Sequence, residues 1–241
     1  MPEPSSGVTS QPEVTTGDDG LLGPPGYQVL REWAPPAAAR ARAIELVAAY
    51  RGSLREVVRN PHATQEWAQT LVRAPRLLAA VQGLIGDAVA VENTFLVIKW
   101  PGSDFEVPWH QDGINDRLEL EPYRAVAAWI ALTDADVETG CLHVVPGSQR
   151  AGYRPYEPEP ATGAARGRAL GARIAPETQG LPIPVPVGSG VLMDTRLVHC
   201  SHSNRGTGAR IGLNIRYVAP GGIRRRDDSS PSLCPITGTG W

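Results

Sequence analysis

A change in sequence character near residue 88 constrains the fold of this chain more than any other feature. Before it, the clear periodicity is helical. After it, five segments rich in β-branched and aromatic residues are separated by turn formers: 88–100, 126–134, 142–145, 185–194 and 211–219. The 26 glycines and 23 prolines among 241 residues also favour short strands and many turns. We therefore expect a mainly β domain with flanking helices packed outside it.

The N-terminal part predicts a tail and two helices. Residues 1–22 are polar and offer little to bury, which predicts a disordered tail before a single domain over 23–241. A short strand is expected over 27–33, followed by an Ala-rich helix from Pro35 to about residue 50 and a second helix over 75–85. The aperiodic segment 147–182 is typical of a long binding loop or lid.

Composition excludes several classes of protein. A formal charge of −2 gives no basic surface for nucleic acid or for an anionic membrane. We find no apolar run long enough for a membrane span and no apolar signal segment at the N-terminus. Three scattered cysteines do not form a disulfide framework, so we expect a cytoplasmic protein. The sequence does not define an oligomeric state.

Two short segments carry residues suited to binding a metal. In PWHQDG, His110 and Asp112 lie two positions apart, so in an extended backbone both point to one side. A second imidazole, His199, follows the apolar segment that ends in VLMD. Two histidines and one carboxylate form the facial triad typical of non-haem Fe(II), which leaves positions open for a co-substrate and dioxygen. His202 is the alternative third ligand, although the spacing to Arg210 favours His199.

An arginine downstream of this motif has the chemistry that a dicarboxylic keto acid needs. Arg210 begins the predicted strand ARIGLNIRYV. A guanidinium group binds a planar carboxylate at two points, and the hydroxyl of Ser201 suits the same carboxylate. We therefore expect Arg210 and Ser201 to bind the distal carboxylate of a keto acid that chelates the metal.

These segments together resemble the phytanoyl-CoA dioxygenase (PhyH) family of Fe(II)- and 2-oxoglutarate-dependent oxygenases. The resemblance runs over about 95–217, and is carried by HQD at 110–112, by WIALTDADVETGCLHVVPGSQ at 129–149, and by HCSHSN at 199–204 with Arg210. It implies a double-stranded β-helix, which is a jelly-roll fold related to the cupins, with the N-terminal helices packed outside.

The resemblance also implies roles for individual residues. It implies that iron is bound by His110, Asp112 and His199, and 2-oxoglutarate by Arg210, Ser201, Trp129, Phe95 and Lys99. Phe95 and Lys99 share a face of their predicted strand, because side chains alternate along a strand. The candidates for contacting substrate or its loops are Gln111, Asn115, Asp116, His202 and Asn214.

The activity implied is oxidation by dioxygen of a C–H bond in a small-molecule substrate, through hydroxylation or oxidative ring closure. A carboxylate at position 112 fills the site that halogenating relatives leave open for halide. The arginines of the segment 147–182 would suit a phosphate or a carboxylate. If the acidic side chains near the motif line the mouth of the site, they favour instead a hydroxyl-rich or cationic substrate, such as a sugar or an aminoglycoside-type antibiotic intermediate. These side chains are Asp104, Glu106, Asp116, Glu119 and Glu121.

Two other classes of protein remain open from the residues alone. Two histidines and an aspartate also bind Zn²⁺ with an open position for water, as in a metal hydrolase. That function leaves Arg210 and Trp129 without a role. A jelly roll can also act as a binding module without catalysis, because one fold hosts many functions.

Overall fold

Fifteen strands and three α-helices are found in the described part of the chain. The computed structural model describes residues 18–160, 163, 164, 166, 170–225 and 233–241. Helices α1 to α3 are Pro36–Tyr50, Glu66–Leu71 and Pro75–Ile85. Strands β1 to β15 are, in order, Tyr27–Leu30, Val57–Arg59, Val89–Lys99, Val107–His110, Leu118–Leu120, Ala125–Ala131, Leu142–Val144, Tyr156–Pro158, Leu170–Ala172, Leu181–Ile183, Gly190–Met193, His199–Ser201, Arg210–Val218, Ile223–Arg225 and Cys234–Thr237. The prediction of a mainly β protein is confirmed.

Two antiparallel sheets form the body of the protein. The larger has the order β1-β11-β6-β13-β3-β15, with β2 also paired to β3, and the smaller has the order β10-β7-β12-β4. Among the eight strands β3, β4, β6, β7 and β10 to β13, the chain changes sheet at every connection except that from β7 to β10. A buried apolar cluster joins strands of both sheets, so their inner faces lie against each other.

The side chains of strand β13 alternate between the two faces of the larger sheet. Four apolar side chains at alternate positions join the core shared with α1 and α3: Ile211, Leu213, Ile215 and Tyr217. Each such burial stabilises the fold by about 1.5–3 kcal/mol. The intervening side chains point to the other face because side chains alternate in a strand. The helices therefore lie outside the larger sheet, as predicted, and leave its inner face for the site.

The differences from the predicted elements concern short segments. Strand β1 ends at Leu30, before the predicted end at residue 33, because Pro35 and Pro36 begin α1 nearby. The predicted loop 147–182 contains the two-stranded ribbon β8–β9, and strand β10 begins at its end. Its residues 161, 162, 165 and 167–169 lie outside the described residues.

The predicted tail lies outside the described residues over 1–17. The described residues 18–22 lie against the domain, where Asp18 pairs with Arg196 and Asp19 with Arg150. Within the described ranges, the structure contains no helix with both the length and the apolar character needed to cross a bilayer.

Candidate metal centre and anion site

Two neighbouring strands of the smaller sheet bring the paired histidines together. His110 ends β4, His199 begins β12, and the two residues are register partners. Each imidazole donates a hydrogen bond from Nδ1 to a backbone carbonyl, His110 to Pro108 at 2.8 Å and His199 to Leu197 at 3.0 Å. A carbonyl only accepts, so Nδ1 carries the proton, and in the neutral imidazole Nε2 keeps its lone pair. Both Nε2 atoms are therefore available as ligands.

Asp112 completes the cluster between the two imidazoles. Its Oδ1 lies 3.7 Å from Nε2 of His110, and its Oδ2 lies 3.7 Å from Nε2 of His199. All three ligand atoms lie within 4.8 Å of one another. Burial, and then the charge of His199, lower the pKa of His110 to about 4, so this imidazole is neutral at neutral pH. Two imidazoles and one carboxylate are the donor set typical of a non-haem Fe(II) site.

The carboxylate of Asp112 is held by two residues of β13. The side-chain amide of Asn214 donates to both oxygens, at 3.0 and 2.9 Å, and Nη2 of Arg216 donates to Oδ1 at 3.2 Å. Burial raises the pKa of Asp112, but Arg216, the imidazoles and Asn214 together outweigh it and hold the pKa well below its usual range. Asp112 is therefore ionised, and its carboxylate is held in one orientation. Hydrogen-bond partners commonly orient metal ligands in this way.

A second feature of the inner face is a buried guanidinium group. Arg210 is 1% exposed, and its Nε and Nη2 have no hydrogen-bond partner among the described residues. Its guanidinium carbon lies 4.4 Å from the ring centroid of Trp129. Burial lowers the pKa of Arg210 to about 10, so it remains a cation at neutral pH. A buried cation with unused donors marks a site for an anion.

A glycine makes this stacking possible. A Cβ atom at Gly212 would lie 2.3–2.6 Å from three ring atoms of Trp129. The ring therefore occupies the space that any other side chain at position 212 would need. Arg210, Gly212 and Asn214 lie at every second position of β13 and share its inner face. A single strand therefore provides the guanidinium group of the anion site, the space for the ring of Trp129 and the hydrogen bonds to Asp112.

Replacing Gly212 with alanine is therefore expected to displace Trp129 and weaken anion binding at Arg210. Crowding of this kind typically destabilises a protein by about 1–3 kcal/mol. Urea unfolding measures the stability, and calorimetric titration with 2-oxoglutarate measures the binding. Gly208→Ala is the matched control, since a Cβ there meets nothing within 4 Å. Equal effects of the two substitutions would contradict the role of Gly212.

The candidate metal centre and the anion site share one cavity. It has a volume of about 600 Å³ and lies between the sheets. Its lining includes the three clustered side chains and also Arg210, Trp129, Ser201 and Phe95. Phe95 lies between two guanidinium groups, 5.6 Å from that of Arg216 and 5.8 Å from that of Arg59. This volume suits a small molecule.

Lys99 and His202 are not among the described residues that line this cavity. Lys99 is fully buried, and its amine donates to the backbone carbonyls of Phe105, Ser201 and His202. Burial, and then Arg210, lower the pKa of Lys99 to about 6. The expectation that Lys99 meets the co-substrate is therefore corrected, because its donors fix the loop after β12. The ring of His202 is exposed and lies 3.8 Å from the carboxylate of Glu106.

The other substrate candidates have different positions. The side chain of Gln111 is engaged by the backbone of residues 152, 154 and 196, so it anchors loops. Asn115 and Asp116 line the cavity. The Oδ1 atom of Asn115 accepts from two backbone amides of its own turn, and Asp116 accepts from Tyr156. Asn214 also lines the cavity, where its amide nitrogen binds Asp112.

The acidic mouth expected from the sequence is largely neutralised by arginine. Three of its five carboxylates form ion pairs, Asp104 with Arg166, and Glu119 and Glu121 with Arg224. Glu106 and Asp116 line the cavity, but three exposed arginines do so as well: Arg59, Arg117 and Arg225. The mouth therefore carries both charges, which corrects the expectation of an acidic entrance.

The fold and the site together define a two-sheet β protein with a candidate metal centre and a buried anion site between its sheets. The chain belongs to the phytanoyl-CoA dioxygenase (PhyH) family, whose model matches residues 26–212. The phytanoyl-CoA dioxygenase domain-containing protein 1 of Mus musculus is 29% identical over 169 residues, covering 67% of this chain. The aligned part is 56% of the mouse protein, so this chain spans little more than half of its length.

Two solved structures share the fold. The non-heme monooxygenase ThoJ, in its apo form, superimposes with a TM-score of 0.72 at 22% identity, covering 90% of this chain and 82% of ThoJ. The non-heme alpha ketoglutarate dependent carbocyclase SnoK from nogalamycin biosynthesis gives a TM-score of 0.68 at 21% identity, covering 90% of each chain. At these identities the two comparisons describe the architecture.

Proposed function

We propose that the protein is an Fe(II)- and 2-oxoglutarate-dependent dioxygenase that oxidises a C–H bond of a small molecule. The observation that carries this proposal is the buried guanidinium of Arg210, whose Nε and Nη2 have no hydrogen-bond partner among the described residues, in the same cavity as His110, Asp112 and His199. A keto acid that chelates the metal requires an anchor of this kind for its distal carboxylate, whereas the zinc hydrolase assigns Arg210 no specific role. A non-catalytic binding module has no use for three oriented metal-binding side chains. Membership of the PhyH family supports the same function.

The residues divide the work in this proposal. His110, Asp112 and His199 hold the metal from one side, and Arg210 binds the distal carboxylate of 2-oxoglutarate with Ser201 and Trp129 beside it. When bound at Fe(II), 2-oxoglutarate would give two electrons to dioxygen as it is oxidised to succinate and carbon dioxide, and the C–H bond of the substrate would give the other two. The walls of the cavity exclude bulk water and orient the substrate.

We further propose that the two sheets form a double-stranded β-helix within a single domain over 23–241. Strands β3, β6, β11 and β13 lie in one sheet, and β4, β7, β10 and β12 in the other. Alternate placement of successive strands in two facing sheets is the arrangement of a jelly roll. Its open interior is the place where the cavity lies.

The proposed substrate is a small, polar, hydroxyl-rich molecule, for example a sugar-like intermediate of an antibiotic pathway. The cavity supports this, because charged and amide side chains form much of its lining. The rim arginines Arg59, Arg117 and Arg225 disfavour a polycation, so a hydroxyl-rich substrate fits better than a highly charged aminoglycoside. SnoK, described as acting in nogalamycin biosynthesis, is a structural neighbour consistent with this choice.

Anaerobic addition of Fe(II) and 2-oxoglutarate tests the proposed function directly. We expect a visible metal-to-ligand charge-transfer band that requires both components, and slow formation of succinate once dioxygen is admitted. Zn²⁺ is expected to suppress the band by occupying the same three side chains. No band, together with hydrolytic activity restored by Zn²⁺, would establish the hydrolase instead.

A further inference from the structure

A β-bulge turns two polar residues of β3 into the cavity. Asn93 pairs with Arg216 and Val91 pairs with Tyr217, so Glu92 is an extra residue without a partner on β13. The helix-facing apolar core changes from odd positions before the bulge, Val89 and Val91, to even positions after it, Leu96 and Ile98. Glu92 and Asn93 consequently both line the cavity. Bulges often re-aim side chains next to active sites.

The two residues at the bulge carry buried side-chain oxygens that have no hydrogen-bond donor among the described residues. Glu92 is 6% exposed, yet its Oε2 accepts no hydrogen bond from the described residues. The side-chain oxygens of Asn93 and Asn214 are buried and equally unpartnered, and both residues line the same cavity. All three residues line one cavity, and the described protein groups supply no donor to these oxygens. Because buried polar groups are normally satisfied, the donors come from water or from a bound molecule.

The nearest cation cannot satisfy Glu92 by itself. Nη1 of Arg216 lies 3.8 Å from Oε2 of Glu92, which is beyond hydrogen-bond distance, while its Nη2 donates to Asp112 at 3.2 Å. One guanidinium group is thus shared between two carboxylates. The space beside Glu92 therefore retains acceptor character that suits hydroxyl or amino hydrogens.

Glu92 and Asn93 lie near the far end of β13 from Arg210, and Asn214 lies midway along that strand. Arg210 pairs with Lys99, whereas Arg216 pairs with Asn93, six residues further along the strand. Six residues of a strand span roughly 20 Å. Asp112 is bound by Asn214 and Arg216, so the acceptors lie on its side of the strand and away from the anion site. The space next to the acceptors is therefore free of the co-substrate's anchor.

We propose that Glu92, with the side-chain oxygens of Asn93 and Asn214, binds the hydroxyl or amino groups of the substrate and so selects donor-rich molecules. This inference rests on the proposed function and deepens it. Glu92 provides a carboxyl acceptor, and the side-chain amides of Asn93 on β3 and Asn214 on β13 provide two neutral acceptors. A substrate without such donors would leave all three acceptors buried and unsatisfied, and would be rejected for that reason.

A pair of chemically matched probes tests this selection. The holoprotein with Fe(II) and 2-oxoglutarate is titrated without oxygen, using glucose, glucosamine and a permethylated methyl glucoside, and the shift of the charge-transfer band is followed. The free sugars are expected to shift the band, and the permethylated sugar, which has no donors, is expected to leave it unchanged. Glu92→Gln is expected to weaken sugar binding by about tenfold, because one acceptor oxygen is replaced by an amide nitrogen that cannot accept a hydrogen bond.

Two further variants make the test specific. Glu66→Gln makes the same chemical change at an exposed residue of α2 and serves as the control. Asn93→Ala removes a neighbouring acceptor, is expected to weaken sugar binding by about threefold, and provides a second measurement if Glu92→Gln does not fold.

Several results would overturn the selection. The first is that the permethylated sugar binds as tightly as glucose. The second is that neither free sugar shifts the band up to its solubility limit. The third is that both variants bind the free sugars as tightly as the wild type does. A Glu92→Gln protein that needs more Fe(II) to form the band, but keeps its preference for free sugars, would show that Glu92 only supports Arg216. Failure of the wild-type protein to form any band would instead refute the proposed function itself.

Discussion

Replacing His199 with alanine is expected to abolish succinate formation from 2-oxoglutarate. The substitution removes one of three converging ligand atoms and leaves His110 and Asp112, which offer an incomplete set for a facial site. We expect the turnover to fall by more than about a hundredfold, since changing even the partners of metal ligands often costs ten- to a hundredfold. Succinate yield and Fe(II) affinity are the two measurements.

His202→Ala is the matched control for this substitution. His202 is the other histidine of the HCSHSN segment, but its ring is exposed and lies outside the cavity-lining residues described. This variant is expected to retain the charge-transfer band. A protein that loses the band on His202→Ala, yet keeps it on His199→Ala, would reverse the assignment of the third ligand.

Replacing Arg210 with methionine is expected to change stability and binding in opposite directions. The buried guanidinium has no ionic partner in the part of the chain that the structure describes, so a well-packed apolar side chain should stabilise the protein without ligand, by about 1–4 kcal/mol. The same change removes the two-point contact with the distal carboxylate of 2-oxoglutarate. We expect the Kd for 2-oxoglutarate to rise at least about thirtyfold, since charge-assisted hydrogen bonds to a buried cation are lost.

Two measurements separate these effects. Thermal unfolding without ligand should show a higher Tm for Arg210→Met, and added 2-oxoglutarate should raise the Tm of the wild type only. The 2-oxo acid pyruvate lacks a distal carboxylate, so its weak binding should be the same in both proteins. A lower Tm without ligand, or an unchanged Kd for 2-oxoglutarate, would contradict the anion site.

Local chemistry explains why the metal cluster could be predicted from sequence. The His-x-Asp spacing needs only an extended backbone to point both groups to one side, and the structure brings His199 to the same point through β4–β12 pairing. The larger strands were also predictable, because each combines an apolar core face with strong β propensity. The helices over 36–50 and 75–85 followed from proline at the start and from apolar periodicity.

Features that depend on tertiary contacts were missed. Strands β4 and β12 are only four and three residues long, too short for periodicity to reveal them. Lys99 faces inward as expected, but its amine donates hydrogen bonds to backbone carbonyls about a hundred residues further along the chain. The bulge at Glu92 has no sequence signal, because it follows from the register of β3 against β13. The contact of Arg216 with Asp112 could have been predicted, because Arg216 lies six residues after Arg210 and therefore on the same face of the strand.

Alternate side chains of β13 belong to the apolar core and to the site, and this pattern predicts how the protein responds to insertions and deletions. Ile211, Leu213, Ile215 and Tyr217 pack against the helices, and the residues between them build the interior site. Adding or deleting one residue near the start of this strand would send isoleucine into the cavity and arginine into the apolar layer. A library of single-codon insertions and deletions should therefore show folding and turnover lost together in β13, whereas point substitutions there can separate the two.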